Sequence, residues 1–184
     1  DAILPPERKN FKVPSGVSIN FVNSELVAEL SKIYKISRGR ELRSKIDCFN
    51  VQEYAFAPII RKIVSYARRL IKKTNGSNFS CIPEMLISIW EIYKENTTEN
   101  FPDNLKIPLL TTMNKLRNSD ELYFGKEYSD GQIMDNLYSH IDNSVFLANK
   151  ETLGLANENI DEIRDFFIWL GVSQFPRIKL KELK

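Results

Sequence analysis

The sequence predicts a mainly α domain with a few short β-strands (α+β), and a small sheet or hairpin near residues 107–125. Three observations lead there. Apolar residues recur at helical spacing in long segments, best seen from Phe56 to Ile71, from Met85 to Tyr93 and from Ile163 to Leu170. Pro5, Pro6 and Pro14 forbid a continuous helix at the start of the chain. Two apolar runs, Ile107–Thr111 and Leu122–Phe124, are too short for helices and read as extended.

Taken in order, residues 1–22 read as extended, with Ser15-Gly16 as a turn and Val17–Phe21 alternating like a half-buried strand. Asn23 or Ser24 then caps a helix carrying Leu26, Val27, Leu30, Ile33 and Tyr34 on one face, and a short helical piece follows at 40–46. The clearest helix is expected to start at Asn50, with Glu53 completing a capping-box variant and Pro58 kinking or dividing it near its start. Asn75–Asn78 is a loop by composition. Pro83 suits the first turn of a helix running to about Glu95. The two extended runs at 107–111 and 122–124 are expected to pair, with Asn114 in the turn between them. A short helix at 131–139 and a short strand or extended link at 144–148 come next. Asn159 and Glu162 start the last helix, and Gly171 ends it before a basic tail from Lys179.

At 184 residues the chain suits one domain that buries roughly 70% of its unfolded surface, so no metal or disulfide is required for folding. Lys plus Arg (26) barely exceeds Asp plus Glu (24), so no global field draws it to nucleic acid or anionic lipid, and such a partner needs a local patch. Cys48 and Cys81 form no ligand pattern and read as structural thiols of a cytoplasmic protein. No apolar run approaches the roughly 18 residues of a membrane span. The opening Asp1-Ala-Ile-Leu-Pro-Pro has neither an initiator Met nor a signal-peptide layout. Residues 1–184 are therefore expected to be a single domain excised from a larger protein, with any internal boundary near 97–105.

The residues speak against several chemistries. His140 is the one histidine, and neither cysteine is near it in sequence, so a zinc set is not expected. Nucleases of the small helical HEPN type place an Arg a few residues before a His on one helix, and no Arg occurs between Gln132 and Ser139. No glycine pattern for phosphate binding and no Gly-x-Ser-x-Gly elbow is present. Glu158/Asp161/Glu162 and Asp120/Glu121 sit near helix starts, where negative charge complements the helix dipole. Catalytic, cofactor-binding and metal residues are therefore all expected to be none. The sharpest feature is basic: Arg61, Lys62, Arg68, Arg69, Lys72 and Lys73 form a stripe of about three helical turns opposite much of the apolar stripe. Phosphates along a nucleic-acid backbone could meet it. The plainer reading is a solvated face with cations favoured at the helix C-terminus.

Three pieces carry a resemblance. Ile107-Pro-Leu-Leu-Thr111 is followed by Leu122-Tyr-Phe-Gly-Lys-Glu-Tyr128; the chain closes on Phe166-Phe-Ile-Trp-Leu-Gly-Val172 with Pro176-Arg177; and it opens with Pro5-Pro-Glu-Arg8 and Val13-Pro-Ser-Gly16. Together they resemble the region downstream of the GHKL-type ATP-binding domain in sacsin-like, NO VEIN-like large proteins. The sequence departs from that pattern at Asn114-Lys-Leu-Arg117, where a Trp-containing turn is expected. The nucleotide-binding residues of the family have no counterparts here. The resemblance implies a non-catalytic interdomain or protein-interaction module, coupling a neighbouring nucleotide-binding domain to a partner or client. Trp169, Phe175 and Arg177 around the exit turn are the expected docking edge. The alternative is a nucleic-acid-binding module using the basic stripe.

Overall fold

The computed structural model describes residues 56–76, 78–95, 101–102, 105–128 and 143–177, with a few isolated positions elsewhere. The two ends of the first 52 residues meet in a short parallel pair, β1 (Ala2–Ile3) against β2 (Val51–Gln52). Between them, Gly16 lies in a turn and Lys32 in a helix. The rest of the predicted strand at 17–21, the helix from Ser24 and the piece at 40–46 lie outside the described residues. So do most of the predicted helix at 131–139 and the basic tail.

Helix α1 (Phe56–Lys73) begins six residues later than the capping pattern at Asn50 suggests, and Val51–Gln52 is strand instead. Pro58 explains the shift. As the third residue of α1 it occupies a position whose N–H has no intrahelical partner, so the ring costs nothing there. A helix begun at Asn50 would drive that ring into the carbonyl four residues earlier. The helix is therefore started, not kinked, at the proline. Its buried stripe is Phe56, Ile59, Ile60, Ile63, Val64, Ala67 and Ile71. The end is closed by Asn75 at φ 51°, with Gly76 N–H donating to Ile71 O (2.9 Å) and Asn75 N–H to Lys72 O (3.2 Å).

Helix α2 (Cys81–Glu95) has Pro83 in its first turn, as the sequence predicts. Asn78 Oδ1 accepts from Ser80 N–H at 2.9 Å just before it. Met85, Leu86, Ile89 and Trp90 are buried, and α2 packs along α1. Helix α3 (Ile160–Trp169) is capped at its start by Asn159, whose Oδ1 accepts from Asp161 N–H at 2.8 Å. At its end Val172 N–H donates to Phe167 O and Gly171 N–H to Ile168 O, with Gly171 at φ 97°. Two capping bonds of this form stop a helix within one residue.

The strands differ from expectation in their pairing. Strand β3 (Pro108–Leu110) pairs antiparallel with β4 (Leu116–Asn118), not with 122–124. Asn114, at φ 53°, does sit in the turn. The buried Thr111 hydroxyl accepts from the Met113 and Lys115 N–H groups, and Thr111 N–H donates to Lys115 O at 2.9 Å. This tight closure brings the chain back at Leu116 and leaves no room for a longer loop. The 122–124 run pairs further on. Thr111 bridges Leu147 antiparallel, Phe146 bridges Tyr123 in parallel, and Tyr123 bridges Ser173 in parallel. Five short segments thus form one irregular layer in the order β4, β3, 146–147, 122–124, 172–173.

One core runs from Phe56 to Val172, with Phe101 and Leu105 packed against it. Tyr128 is 1% exposed, and its hydroxyl donates to Ala148 O at 2.7 Å. Burial pushes its pKa well above the usual tyrosine range, helped by the charges of Glu127 and Glu151. The folded state therefore keeps this proton to higher pH than the unfolded chain. Its stabilising contribution is whole below about pH 10 and falls as pH rises beyond it. Tyr128→Phe is expected to cost about 1–3 kcal/mol at neutral pH, because Ala148 O is left unpaired. It should also flatten the alkaline loss, read from denaturant midpoints at neutral pH and about pH 10.5. An equal alkaline loss in both proteins would place the titrating group elsewhere.

Candidate functional site: the basic face of the first helix and the exit turn

The polar arc of α1 carries all six cations of the predicted stripe. Arg61, Arg68, Arg69, Lys72 and Lys73 are exposed and Lys62 is half-buried. Among the described residues no carboxylate pairs with any of them. The six do not act alike. Arg68 lies at the border of the buried stripe and donates through Nη2 to Lys106 O at 2.6 Å, tying α1 to the segment ahead of β3. Arg61, Lys62 and Arg69 instead line one open groove of about 350 Å³, shared with Val17, Ser65 and Tyr66. The Arg69 guanidinium stands 5.9 Å from the Tyr66 ring centroid. Lys72 and Lys73 occupy the last turn, at the negative end of the helix dipole.

Ser65 and Tyr66 were readable as groove residues, since they fall four positions after Arg61 and Lys62 respectively. Val17 was not, because it reaches the groove from a segment far away in sequence. No periodicity in α1 reports such a neighbour.

The three residues of the predicted docking edge part company. Trp169 is half-buried in an aromatic cluster, 4.8 Å from Phe101, 5.1 Å from Tyr93, 5.9 Å from Phe56 and 6.2 Å from Phe166 between ring centroids. Phe175 is 67% exposed. Arg177 folds back as a clasp: Nη2 donates to Gly171 O at 2.9 Å and to Leu122 O at 3.2 Å, and the guanidinium covers the Tyr123 ring at 4.9 Å. The exit turn is thereby stitched to the 122–124 segment, where Ser173 N–H donates to Leu122 O and Phe124 N–H to Ser173 O.

Nucleophilic and metal chemistry find little to build on among the described residues. Cys81 is buried, with Sγ 3.8 Å from Ala67 O. Burial raises its pKa, which keeps the thiol protonated and unreactive at neutral pH. His140 is exposed. No three His, Cys, Asp or Glu side chains among the described residues gather as a metal set, and no helix there is long and apolar enough to cross a membrane. A second hollow, about 340 Å³, lies between Glu127, Tyr128, Lys150, Glu151 and Ile160. Its Tyr128 hydroxyl is already committed to Ala148 O, and Lys150 Nζ to Glu158 O at 3.1 Å.

Removing the clasp tests its part in the fold. Arg177→Ala is expected to lower stability by about 1–2 kcal/mol, the scale of two partly exposed charge-assisted bonds. Hydrogen exchange at the Phe124 and Ser173 amides should quicken while the α2 amides stay protected. Uniform quickening would mean that the clasp acts on the whole domain instead.

Set against protein-family models, curated proteins and solved structures, the chain matches none, so its functional reading rests on its own residues.

Proposed function

We propose that the chain is a non-catalytic interdomain or protein-interaction module of a larger, cytoplasmic, sacsin-like ATPase-type protein. In this reading it couples a neighbouring nucleotide-binding domain to partner or client engagement. The supporting observation is where the family-like pieces go. Parts of them, Pro108–Thr111, Leu122–Phe124 and Val172–Ser173, lie in one layer, joined by the bridges Thr111–Leu147, Phe146–Tyr123 and Tyr123–Ser173. Two of their polar side chains are used internally, Tyr128 on Ala148 O and Arg177 on two carbonyls. What they leave most outward is Phe175, more exposed than Ile168 and a large apolar ring on a turn pinned at both ends. An exposed aromatic held this way loses little conformational freedom on binding, which suits it to anchor an interface.

The test is site-specific photocrosslinking in the full parental protein, with p-benzoylphenylalanine replacing Phe175. Crosslinks to a neighbouring domain or a bound protein are expected, and Phe175→Ala should alter nucleotide turnover by the parent. Crosslinks confined to residues of this domain, together with unchanged turnover, would sink the proposal.

A second reading is favoured by the basic face of α1. Six cations without described carboxylate partners suit the phosphates of nucleic acid. Fluorescence anisotropy with labelled duplex DNA, single-stranded DNA and RNA at several salt concentrations separates the two readings. Binding that weakens steeply with salt is the expected signature. A folded chain that binds none of them at low salt leaves the face simply solvated.

A further inference from the structure

The groove on α1 differs from the rest of the basic face in having walls. Arg61, Lys62, Ser65, Tyr66 and Arg69 rise from two turns of helix, and Val17 closes the side. The chain comes close to Tyr66 there: its hydroxyl occupies the space that a Cβ on Gly16 would fill. Tyr66 is thus held between the Gly16 backbone on one side and the Arg69 guanidinium on another. Among the described residues the lining is three cations, two hydroxyls and Val17, with no carboxylate. The described lining offers donors and positive charge but no negative charge, which is the chemistry of a phosphate seat.

Resting on the nucleic-acid reading above, we propose that this groove, and not the stripe as a whole, seats the backbone phosphates of nucleic acid. Arg61 and Arg69 lie eight residues apart, about 12 Å along the helix axis. That distance covers roughly three phosphate steps of one duplex strand. Lys62 contributes a point charge between them, and Ser65 and Tyr66 supply neutral donors. Arg68, committed to Lys106 O, lies outside the seat.

The experiment is anisotropy of a labelled DNA duplex with the 184-residue chain, across a salt series. Arg61→Ala/Arg69→Ala should weaken binding at least about tenfold and lower the log–log salt slope by about 2, the value for two lost phosphate contacts. Arg68→Ala should change affinity less than about twofold and leave the slope as it is. Ser65→Glu is a second, independent probe. It places a carboxylate in the groove from an exposed position and should match the double variant in loss while retaining the wild-type circular dichroism. Equal losses from Arg68→Ala and from either groove arginine overturn the seat but leave the nucleic-acid reading standing. No DNA binding by the folded wild-type chain overturns both. Binding to phosphatidylserine vesicles in place of DNA overturns the assignment of the phosphate to nucleic acid.

Discussion

Phe166 and Phe167 are neighbours on α3 and so point about 100° apart, and the two layers of the fold meet across them. Phe166 packs against Trp90 at 5.1 Å and Tyr93 at 5.3 Å, on the helical side. Phe167 meets Tyr128 at 6.2 Å, and Tyr128 meets Phe124 at 5.0 Å, on the strand side. The rings form an unbroken path from Phe56 through Trp169, Phe166, Phe167 and Tyr128 to Phe124. A helix of 10 residues is too short to persist alone in water. Its caps contribute about 1 kcal/mol each, while each buried ring contributes about 1.5–3 kcal/mol plus about 0.5–1.5 kcal/mol per ring pair. Packing therefore decides that α3 exists, and the caps decide where it stops.

Where it stops matters because the strand layer depends on it. That layer has no long ladder; beyond β3 and β4 it is held by single bridges. Each segment is too short to hold a register by itself, so the register comes from outside. Thr111 sets the hairpin by binding two amides of its own turn. The left-handed Gly171 turns the chain sharply enough for Ser173 to reach Leu122 and Phe124, and Arg177 locks the result. The loop from Asn149 to Leu155 is fixed in a similar way. Leu155 N–H reaches Lys150 O at 2.8 Å, and Gly154 at φ 81° lies so close to Pro83 that an added Cβ would come within 2.8 Å.

Legibility in the sequence followed the range of the interaction. The stripes of α1, α2 and α3, the proline start of α2 and the two caps of α3 are local, and they stand where the spacing puts them. The start of α1 was misplaced because an Asn-x-x-Glu pattern was weighed above a proline eight residues on. The β3 partner was missed because Leu116-Arg-Asn118 has no apolar alternation, and its pairing follows from a turn held by a side-chain hydroxyl. Trp169 looked like an edge residue from its place beside a Gly-Pro corner. Its neighbours Phe56, Tyr93 and Phe101 come from three separate parts of the chain, which no local pattern reports. The groove was half legible: its cations and hydroxyls share one helix, and its wall does not.

Charge placement gives the basic face its meaning. Several acidic residues elsewhere are engaged: Asp161 and Glu162 stand at the start of α3, Asp120 holds Lys106 at 2.9 Å, and Glu121 meets Arg117. The 18 residues of α1 contain no acidic side chain. A helix face that only needs water usually mixes signs, because opposite charges four apart stabilise it by about 0.2–0.5 kcal/mol and like charges cost as much. Arg68/Lys72 and Arg69/Lys73 are such like-charge pairs. Lys72 and Lys73 offset that repulsion at the negative end of the dipole. Arg61 and Lys62, in the second turn, are too far from that end to gain from it, since the dipole acts within the last turn. Arg68 secures a carbonyl and Arg69 reaches the Tyr66 ring three residues back on the same helix, but among the described residues Arg61 and Lys62 make no such contact. Both line the groove with Arg69, and helix stability supplies no reason for their presence there.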